Sequence, residues 1–278
     1  MYAIVSKRND HGVLEVFSCV KEVTDKSASP KSQKKGVCIS PKNYKCGDTL
    51  AFNNVHWWYD WNLYGNYHKN KHCSNKQGQG RIPMIWTWSH RKNKLRFLSN
   101  SDKIILGFNE PNFVEQANLL PEEAADLWME IQEKLPDVQL VSPSASTCVG
   151  SIDKCNSGAV KWFDRFFKAC KNCEIKYLAT HAYWCDPNMT MKYLEALWRR
   201  YKKQIWLTEF ACPFKNTTEG QLEFMKAILP LLERAEYVYR YAWYSSRVPP
   251  HGWIPREASL LRYNDSTLTP LGIFYNKF

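Results

Sequence analysis

Two glutamates lie near the ends of apolar segments, where a charged side chain is unexpected. Glu110 closes the apolar run 104–110, and Glu209 lies near the end of the run 205–211. Burying a carboxylate is costly unless it is paired or hydrogen-bonded, so each glutamate needs a partner or a task. A buried salt bridge to Arg or Lys is the structural alternative for either residue. Two carboxyl groups together can do chemistry: one protonates a leaving oxygen while the other attacks a sugar carbon or activates water, as glycoside hydrolysis requires.

The segments around these glutamates alternate between apolar runs and amphipathic stretches. Runs that are apolar almost throughout are typical of strands buried on both faces. Apolar residues at helical spacing predict four helices between residues 121 and 232, the first opened by Pro121, and Thr269 caps a closing helix that begins at Pro270. The eight predicted strands are 37–40, 55–61, 82–88, 104–110, 139–145, 176–184, 205–211 and 238–244.

This alternation predicts an α/β fold, a (β/α)8 TIM barrel that forms a single domain over residues 36–278. A doubly wound open sheet is the alternative, but no glycine-rich phosphate loop follows any predicted strand. In such barrels the catalytic groups lie at the C-terminal ends of the strands. The fourth and seventh strands therefore bring Glu110 and Glu209 to the same face.

Charge is unevenly distributed along the chain. The formal net charge is +11, and the first 103 residues contain 18 Lys and Arg against 7 Asp and Glu. The excess is scattered through predicted loops, which is typical of solvated charge, so we expect no nucleic-acid partner. Residues 1–35 are polar and predict a flexible N-terminal arm with one short strand at 14–19. No run of 18 apolar residues occurs, so no membrane span is predicted, and no signal peptide is visible in residues 1–25.

Cysteine usage indicates an oxidising compartment. The chain has ten cysteines, and the lone pair Cys170 and Cys173 lacks the second pair of a zinc ribbon, so no metal site is predicted. Glycosylation sequons occur at Asn188, Asn216 and Asn264. Together these features predict a secreted, disulfide-bonded glycoprotein, which we expect to be a monomer.

Two disulfides follow from the predicted strand order. Cys185 and Cys212 come after the sixth and seventh strands, which are neighbours about 4.8 Å apart in a barrel, so we expect them to pair. Cys148 and Cys155 are expected to close the loop after the fifth strand.

Several sequence strings resemble clan A of the retaining glycoside hydrolases, and specifically glycoside hydrolase family 128, the fungal-type endo-β-1,3-glucanases. The resemblance covers roughly residues 36–275. The strings are 36–40 (GVCIS), 58–61 (WYDW), 83–86 (PMIW), 105–111 (ILGFNEP), 180–183 (THAY) and 206–212 (WLTEFAC). One departure is Asp60, where family members tend to have Asn; it adds a carboxylate near the expected cleft.

The resemblance implies a retaining hydrolase of internal β-1,3-glucosidic linkages that needs no cofactor. Glu110 would be the general acid/base and Glu209 the nucleophile. Their carboxyl groups are then expected about 5–5.5 Å apart, the spacing of retaining glycosidases. The expected partner is a β-glucan polysaccharide or oligosaccharide.

Further residues are predicted to bind the substrate. Asn109, beside the acid, can hydrogen-bond a sugar 2-hydroxyl. His181 and Tyr183 share one face of the sixth strand, and the clan resemblance implies that either could orient Glu209. Trp61, Trp86 and Trp243 lie at C-terminal strand ends, where aromatic faces can stack on sugar rings. A satisfied core histidine and core tryptophans are the structural alternatives.

Two other functions remain open at this stage. A non-catalytic, lectin-like β-glucan-binding barrel would use the same aromatic residues, although a binder has no need for two buried acids. A clan A hydrolase of another β-linked glycan, such as mannan or mixed-linkage glucan, would use the same acids.

Overall fold

Parallel strands form the core of the chain from residue 35 onward, as seen in a computed structural model that describes residues 5–8, 14–17, 32–64, 73, 78–88, 98, 102–149 and 152–278. One sheet has the order β4-β3-β9-β8-β7, and a second consists of β5 and β6. These strands are β3 (Lys35–Cys38), β4 (Trp57–Tyr59), β5 (Ile104–Leu106), β6 (Gln139–Val141), β7 (Leu178–Ala182), β8 (Ile205–Phe210) and β9 (Val238–Trp243). The α/β prediction is confirmed, and seven of the eight predicted runs overlap a strand.

The predicted third strand, 82–88, is not a continuous strand. Its region pairs with its neighbours through two isolated parallel bridges, Arg81 with Trp58 and Met84 with Leu106. Pro83 lies between them and has no N–H to donate to a ladder, which explains the interruption. Bridges at Val141–Tyr177 and Ala145–Thr180 likewise connect the segment of β6 to that of β7.

Side chains of the strands alternate between two apolar layers. Trp57 and Tyr59 pack in a cluster with Trp206, whereas Trp58 belongs to the larger cluster that contains the helices. This alternation follows from the period of two along a strand. Because both faces are covered, the strands are apolar almost throughout.

The helices lie between the later strands, as the sequence pattern predicted. Their starts are defined by local chemistry: Pro121 occupies the first turn of its helix, and the side chains of Asp186, Thr217 and Thr269 accept backbone N–H groups at three other starts. The helices are α1 (Pro121–Lys134), α2 (Ala159–Ala169), α3 (Pro187–Tyr201), α4 (Thr218–Arg234) and α5 (Pro270–Lys277). None of these described helices is long and apolar enough to span a membrane.

The N-terminal region divides from the rest at residue 30. The unit Met1–Pro30 contains β1 (Val5–Arg8) and β2 (Leu14–Phe17), which pair antiparallel, and β2 falls inside the predicted strand 14–19. The other residues of the predicted flexible arm up to residue 31 lie outside the described part of the chain.

The second unit, Lys31–Phe278, starts a few residues before the predicted domain boundary at 36. The ammonium group of Lys34 donates to carbonyl oxygens at the C-terminal end of α4, those of Glu233 at 2.8 Å and Ala235 at 2.9 Å. A cation suits the negative end of a helix, so this contact ties residues 32–35 to the folded unit.

Four disulfides crosslink the described part of the chain. The predicted pairs Cys185–Cys212 and Cys148–Cys155 are both present. Two further pairs, Cys46–Cys73 and Cys170–Cys173, were not predicted from the sequence. Among the described cysteines, Cys38 is free and buried.

Candidate active site

Glu110 and Glu209 lie together at the C-terminal ends of the parallel strands. One carboxylate oxygen of each, with a ring nitrogen of His181, falls in a group whose atoms all lie within 4.8 Å of one another. Both acids line a cavity of about 520 Å³. Their side chains are only 12% and 7% exposed, so the two carboxylates interact in a largely desolvated setting.

A tight backbone arrangement places Glu110. A side chain at Gly107, just after β5, would approach the Trp128 ring to 2.7 Å, so a glycine is needed there. Glu110 N donates to the carbonyl oxygen of Ser144 at 3.0 Å, which fixes the residue beside the end of β6. Glu110 has φ 41°, in the left-handed region that non-glycine residues rarely adopt and that is enriched at functional sites.

Glu209 is held by three donors, two from β4 and the residues just after it and one from the residue after β7. Its Oε1 accepts the indole N–H of Trp61 at 2.7 Å and the hydroxyl of Tyr59 at 3.2 Å, and its Oε2 accepts the hydroxyl of Tyr183. Trp61 also has a left-handed backbone, with φ 58°. With both oxygens engaged, the carboxyl group has one orientation, and its charged form is stabilised.

His181 lies beneath the two acids and bridges them. The residue is fully buried and pairs directly with Glu209 in the register of β7 and β8. Its Nδ1 lies 2.8 Å from Glu110 Oε1, within hydrogen-bond distance, and its Nε2 lies 3.5 Å from Glu209 Oε1. Burial disfavours the charged imidazole, but the Glu209 and Glu110 carboxylates outweigh burial and raise the pKa of His181.

The electrostatics of Glu209 combine opposing influences. Burial raises the pKa of Glu209, and the neighbouring Glu110 carboxylate raises it further. The positive charge of His181 and the hydrogen bonds from Tyr183 and Trp61 lower it, and the net shift of the pKa is upward.

Asn109 presents an unused acceptor beside Glu110. Its amide nitrogen donates to Gln116 Oε1 at 3.0 Å, while its Oδ1 is buried and has no hydrogen-bond partner among the described residues. Asn109 also lines the cavity. An unpaired buried acceptor is costly, so a hydroxyl of a bound ligand is a fitting partner for it.

The structure brings most of the predicted binding residues to the cavity. Trp61, Trp86, Asn109 and Tyr183 line it, whereas the fully buried His181 contacts the acids from behind. His181 is therefore placed to act on the carboxylates and not on a sugar, which corrects the expectation of direct substrate contact.

The expectation that Trp243 lies against the substrate is wrong. Trp243 is fully buried, its indole N–H donates to the carbonyl oxygen of Ala258, and its ring packs against Phe210. The next residue, Tyr244, lines the cavity instead. Adjacent residues of an extended chain face opposite sides, so an error of one position moved the prediction to the wrong layer.

Sequence reasoning also missed Trp253, which lines the cavity, is 51% exposed and packs edge-on against Tyr183 at 4.7 Å between ring centroids. Trp253 lies outside every predicted strand, so a search for aromatic residues at strand ends could not identify it. Asp60 does not line the cavity: it is buried and ion-paired with Arg81 at 3.2 Å.

Glu110, His181 and Glu209 together could hold a metal ion, since two carboxylate oxygens and an imidazole nitrogen are ordinary ligands. The sequence analysis predicts a site that works without a metal, and this remains a prediction.

Comparisons with known proteins agree on one family. The family model "Glycosyl hydrolase catalytic core" matches residues 36–275. The crystal structure of a family 128, subgroup II endo-β-1,3-glucanase from Sorangium cellulosum is similar, with 30% identity, a TM-score of 0.76, and coverage of 87% of this chain and 97% of that one. A subgroup III curdlan-specific exo-β-1,3-glucanase from Blastomyces gilchristii, in complex with glucose, has 25% identity and a TM-score of 0.69, covering 90% of this chain and 100% of that one.

A curated relative is Alkali-sensitive linkage protein 1 of Schizosaccharomyces pombe, 24% identical over 231 residues, which cover 78% of this chain. The match spans 39% of the length of that relative. The family model covers most of the chain, and the 30% identical glucanase is matched over nearly its whole length. The chain therefore belongs to glycoside hydrolase family 128 and contains a glycosyl hydrolase catalytic core.

Proposed function

We propose that the protein hydrolyses internal β-1,3-glucosidic linkages with retention of anomeric configuration, Glu110 acting as acid/base and Glu209 as nucleophile. The observation that carries this proposal is the close approach of the two carboxylates, whose nearest oxygens lie within 4.8 Å. Retaining enzymes separate their carboxyl groups by about 5–5.5 Å, whereas inverting enzymes need about 6.5–9.5 Å to admit a water between acid and sugar.

Two steps account for the reaction. Glu110 gives its proton to the glycosidic oxygen while a Glu209 oxygen attacks the anomeric carbon, so the linkage breaks and a glycosyl ester forms. The shortened glucan leaves, and Glu110, now a carboxylate, takes a proton from an incoming water that attacks the same carbon. The ester breaks, Glu209 is released as a carboxylate, and Glu110 is protonated again.

The surroundings of the acids suit these different roles. Glu209 is held by donors on both oxygens, as a nucleophile that must be charged and oriented requires. Glu110 lies on the open cavity and touches His181 at hydrogen-bond distance, so a proton can be shared between the two groups. When Glu209 loses its charge in the glycosyl ester, His181 loses a neighbouring anion and holds its own proton less tightly.

The cavity supports a β-glucan as the substrate. Trp61, Trp86 and Trp253 offer aromatic faces for the apolar faces of sugar rings, and Asn109 offers an acceptor for a hydroxyl beside the acid. The similar structures are described as endo- and exo-β-1,3-glucanases. We propose β-1,3-linked glucan for this chain and internal cleavage as the mode of attack, with exo-cleavage as the alternative.

The stereochemistry of the first product tests the mechanism. Proton NMR during the first minutes of laminarin hydrolysis should show the new reducing end as the β-anomer, which mutarotates only later. Appearance of the α-anomer first would mean inversion, and the assignment of Glu209 as the nucleophile would be wrong.

Variants separate the roles of the two acids. Glu209→Ala should lose hydrolysis but accept azide, giving the inverted glycosyl azide from an activated donor. Glu110→Ala should lose about 10²–10⁴-fold on ordinary glucan, because that is what positioned acid catalysis contributes, yet form the intermediate from an activated aryl glycoside. With azide it should give the retained product. Unchanged hydrolysis by both variants would overturn the roles of the two acids, whereas a wild-type protein that binds β-glucan without hydrolysing it would be a non-catalytic β-glucan-binding protein.

A panel of defined glycans distinguishes the remaining alternative. We expect hydrolysis of curdlan and laminarin oligosaccharides and none of mannan. Faster hydrolysis of mannan or of mixed-linkage glucan would assign a different β-linked substrate to the same acids. Chelation with EDTA should leave the rate unchanged, since no step above requires a metal.

We further propose that the parallel strands close into a (β/α)8 barrel. The order of β4, β3, β9, β8 and β7, the pair β5 and β6, and the isolated bridges at Arg81, Met84, Tyr177 and Thr180 support a continuous ring of pairings. We also propose a catalytic domain from about residue 36 to 278, preceded by an N-terminal arm. We propose further that the protein is secreted and monomeric. Four disulfides support secretion.

A further inference from the structure

Arg240 lies at the end of the parallel strands opposite to the two acids. It is the third residue of β9 and pairs in register with Trp206, the second residue of β8, whereas Glu209 lies near the end of β8. The guanidinium group of Arg240 rests on aromatic faces. Its central carbon lies 4.8 Å from the ring centroid of Trp206, 5.6 Å from that of Tyr239 and 5.9 Å from that of Trp57.

This guanidinium has no anionic partner within the described part of the chain. Its Nη1 is buried and makes no hydrogen bond to any described residue. Arg247, Arg200 and Arg165, by contrast, each have a carboxylate within salt-bridge distance. Aromatic faces stabilise the charge of Arg240 but leave the in-plane N–H donors of its Nη1 unused, and an unpaired buried donor is unfavourable.

Two cavities meet at Arg240. They measure about 460 and 470 Å³, and His56 lines both of them. The first also contains the polar side chains of Asn53 and Gln79, and no acidic residue is among its described lining residues. The second contains Glu236, which disfavours an anion on that side. The first cavity therefore has space, positive charge and donors without a competing carboxylate.

We propose that Arg240 binds an oxyanion in the 460 Å³ cavity, at the end of the strands opposite to Glu110 and Glu209. The ligand is a small molecule or ion that presents a phosphate, sulfate or carboxylate group. A planar guanidinium offers parallel N–H donors that match two oxygens of such a group, and its charge strengthens both hydrogen bonds. Burial lowers the pKa of Arg240, and a bound anion would offset this effect.

Isothermal titration calorimetry with inorganic phosphate tests the site on the full chain. The buffer is kept at pH 7 and at constant ionic strength with sodium chloride, so that general screening does not change. We expect saturable binding of one phosphate, and Arg240→Met should weaken it by about 10- to 100-fold, because a hydrogen bond to a charged group is lost. Arg234→Met is the matched control: it removes the same charge from the exposed last turn of α4, shortly before β9, and should leave the affinity unchanged.

Separate titrations with sulfate and acetate identify the class of oxyanion. Binding of phosphate and sulfate indicates a tetrahedral ligand, and binding of acetate alone indicates a carboxylate. If circular dichroism shows that Arg240→Met does not fold, Arg240→Lys is titrated in its place. The lysine keeps the charge but loses the planar pair of donors, so it should still weaken binding. The proposal is overturned if the wild-type protein binds none of the three anions in preference to chloride, or if the Arg240 variant that folds binds as tightly as wild type.

Discussion

Replacing Trp61 by Phe should move the acid limb of the pH–rate profile to higher pH. The indole N–H of Trp61 donates to Glu209 Oε1 at 2.7 Å, closer than the Tyr59 hydroxyl at 3.2 Å, and phenylalanine keeps an aromatic face but has no donor. Loss of a donor to a carboxylate disfavours its charged form and raises its pKa. As the proposed nucleophile, Glu209 must be charged to attack, so the variant needs a higher pH to reach the same fraction of active enzyme.

The size of the shift follows from the contacts that remain. A hydrogen bond to a charged group contributes about 1.5–3 kcal/mol. Tyr59 still donates to Oε1 and Tyr183 to Oε2 in the variant, so the lower part of that range applies. About 1.5 kcal/mol corresponds to an upward shift of about one pH unit, since one pKa unit is about 1.36 kcal/mol. Below the acid limb, kcat/KM should then fall about tenfold at a given pH.

The assay is kcat/KM for a soluble β-1,3-glucan oligosaccharide measured across the acid range, because this parameter reports the free enzyme. Trp86→Phe is the matched control. Trp86 lines the same cavity but makes no hydrogen bond to either acid, so its substitution should change KM without moving the acid limb. An acid limb that stays in place in Trp61→Phe, with a loss confined to KM, would show that Trp61 serves only as a sugar platform.

Three other predictions follow from the same structure. His181→Asn removes a positive charge that lowers the pKa of Glu209, so the acid limb should move to higher pH; a shift to lower pH in the same assay would contradict this electrostatic account. Replacing Cys185 and Cys212 together by Ala opens a crosslink with a sequence separation of 27 and should lower the free energy of unfolding in urea by about 3.5 kcal/mol, with no loss if the crosslink is unimportant. Asp48→Ala leaves the fully buried Arg247 without its carboxylate and should lower the free energy of unfolding by about 3–5 kcal/mol in the same measurement. A loss below about 1 kcal/mol would mean that water replaces the carboxylate.

Much of the site could be recognised from the sequence because its two acids break a strong local pattern. Glu110 and Glu209 stand out against apolar runs, and parallel strands bring their C-terminal ends to one edge whatever the details of the fold. Helix starts were equally local, as the cap at Thr269 illustrates. The spacing of apolar residues is enough for such features, since each depends on neighbours within a few positions.

The side of a strand toward which each side chain points could not be predicted from the sequence. Whether Trp243 or Tyr244 lines the cavity depends on the layer into which each side chain points. A register shift between β8 and β9 lies in this region. A single-residue shift in a strand reverses the facing of every side chain, and composition cannot reveal it. The interrupted third strand at Pro83 is a similar case, because its pairing comes from strands on either side.

The sequence by itself determined the α/β class, the two acids, the order of strands and helices, and two of the disulfides, because these follow from local periodicity and from the parallel arrangement it implies. Only the tertiary structure decided what surrounds the acids. The donors on Glu209 come from Tyr59, Trp61 and Tyr183, residues 26 to 150 positions away, and His181 reaches Glu110 across 71 positions. Contacts at such separations depend on how the strands pack together, and packing sets the distances, burial and pKa shifts on which the chemistry depends.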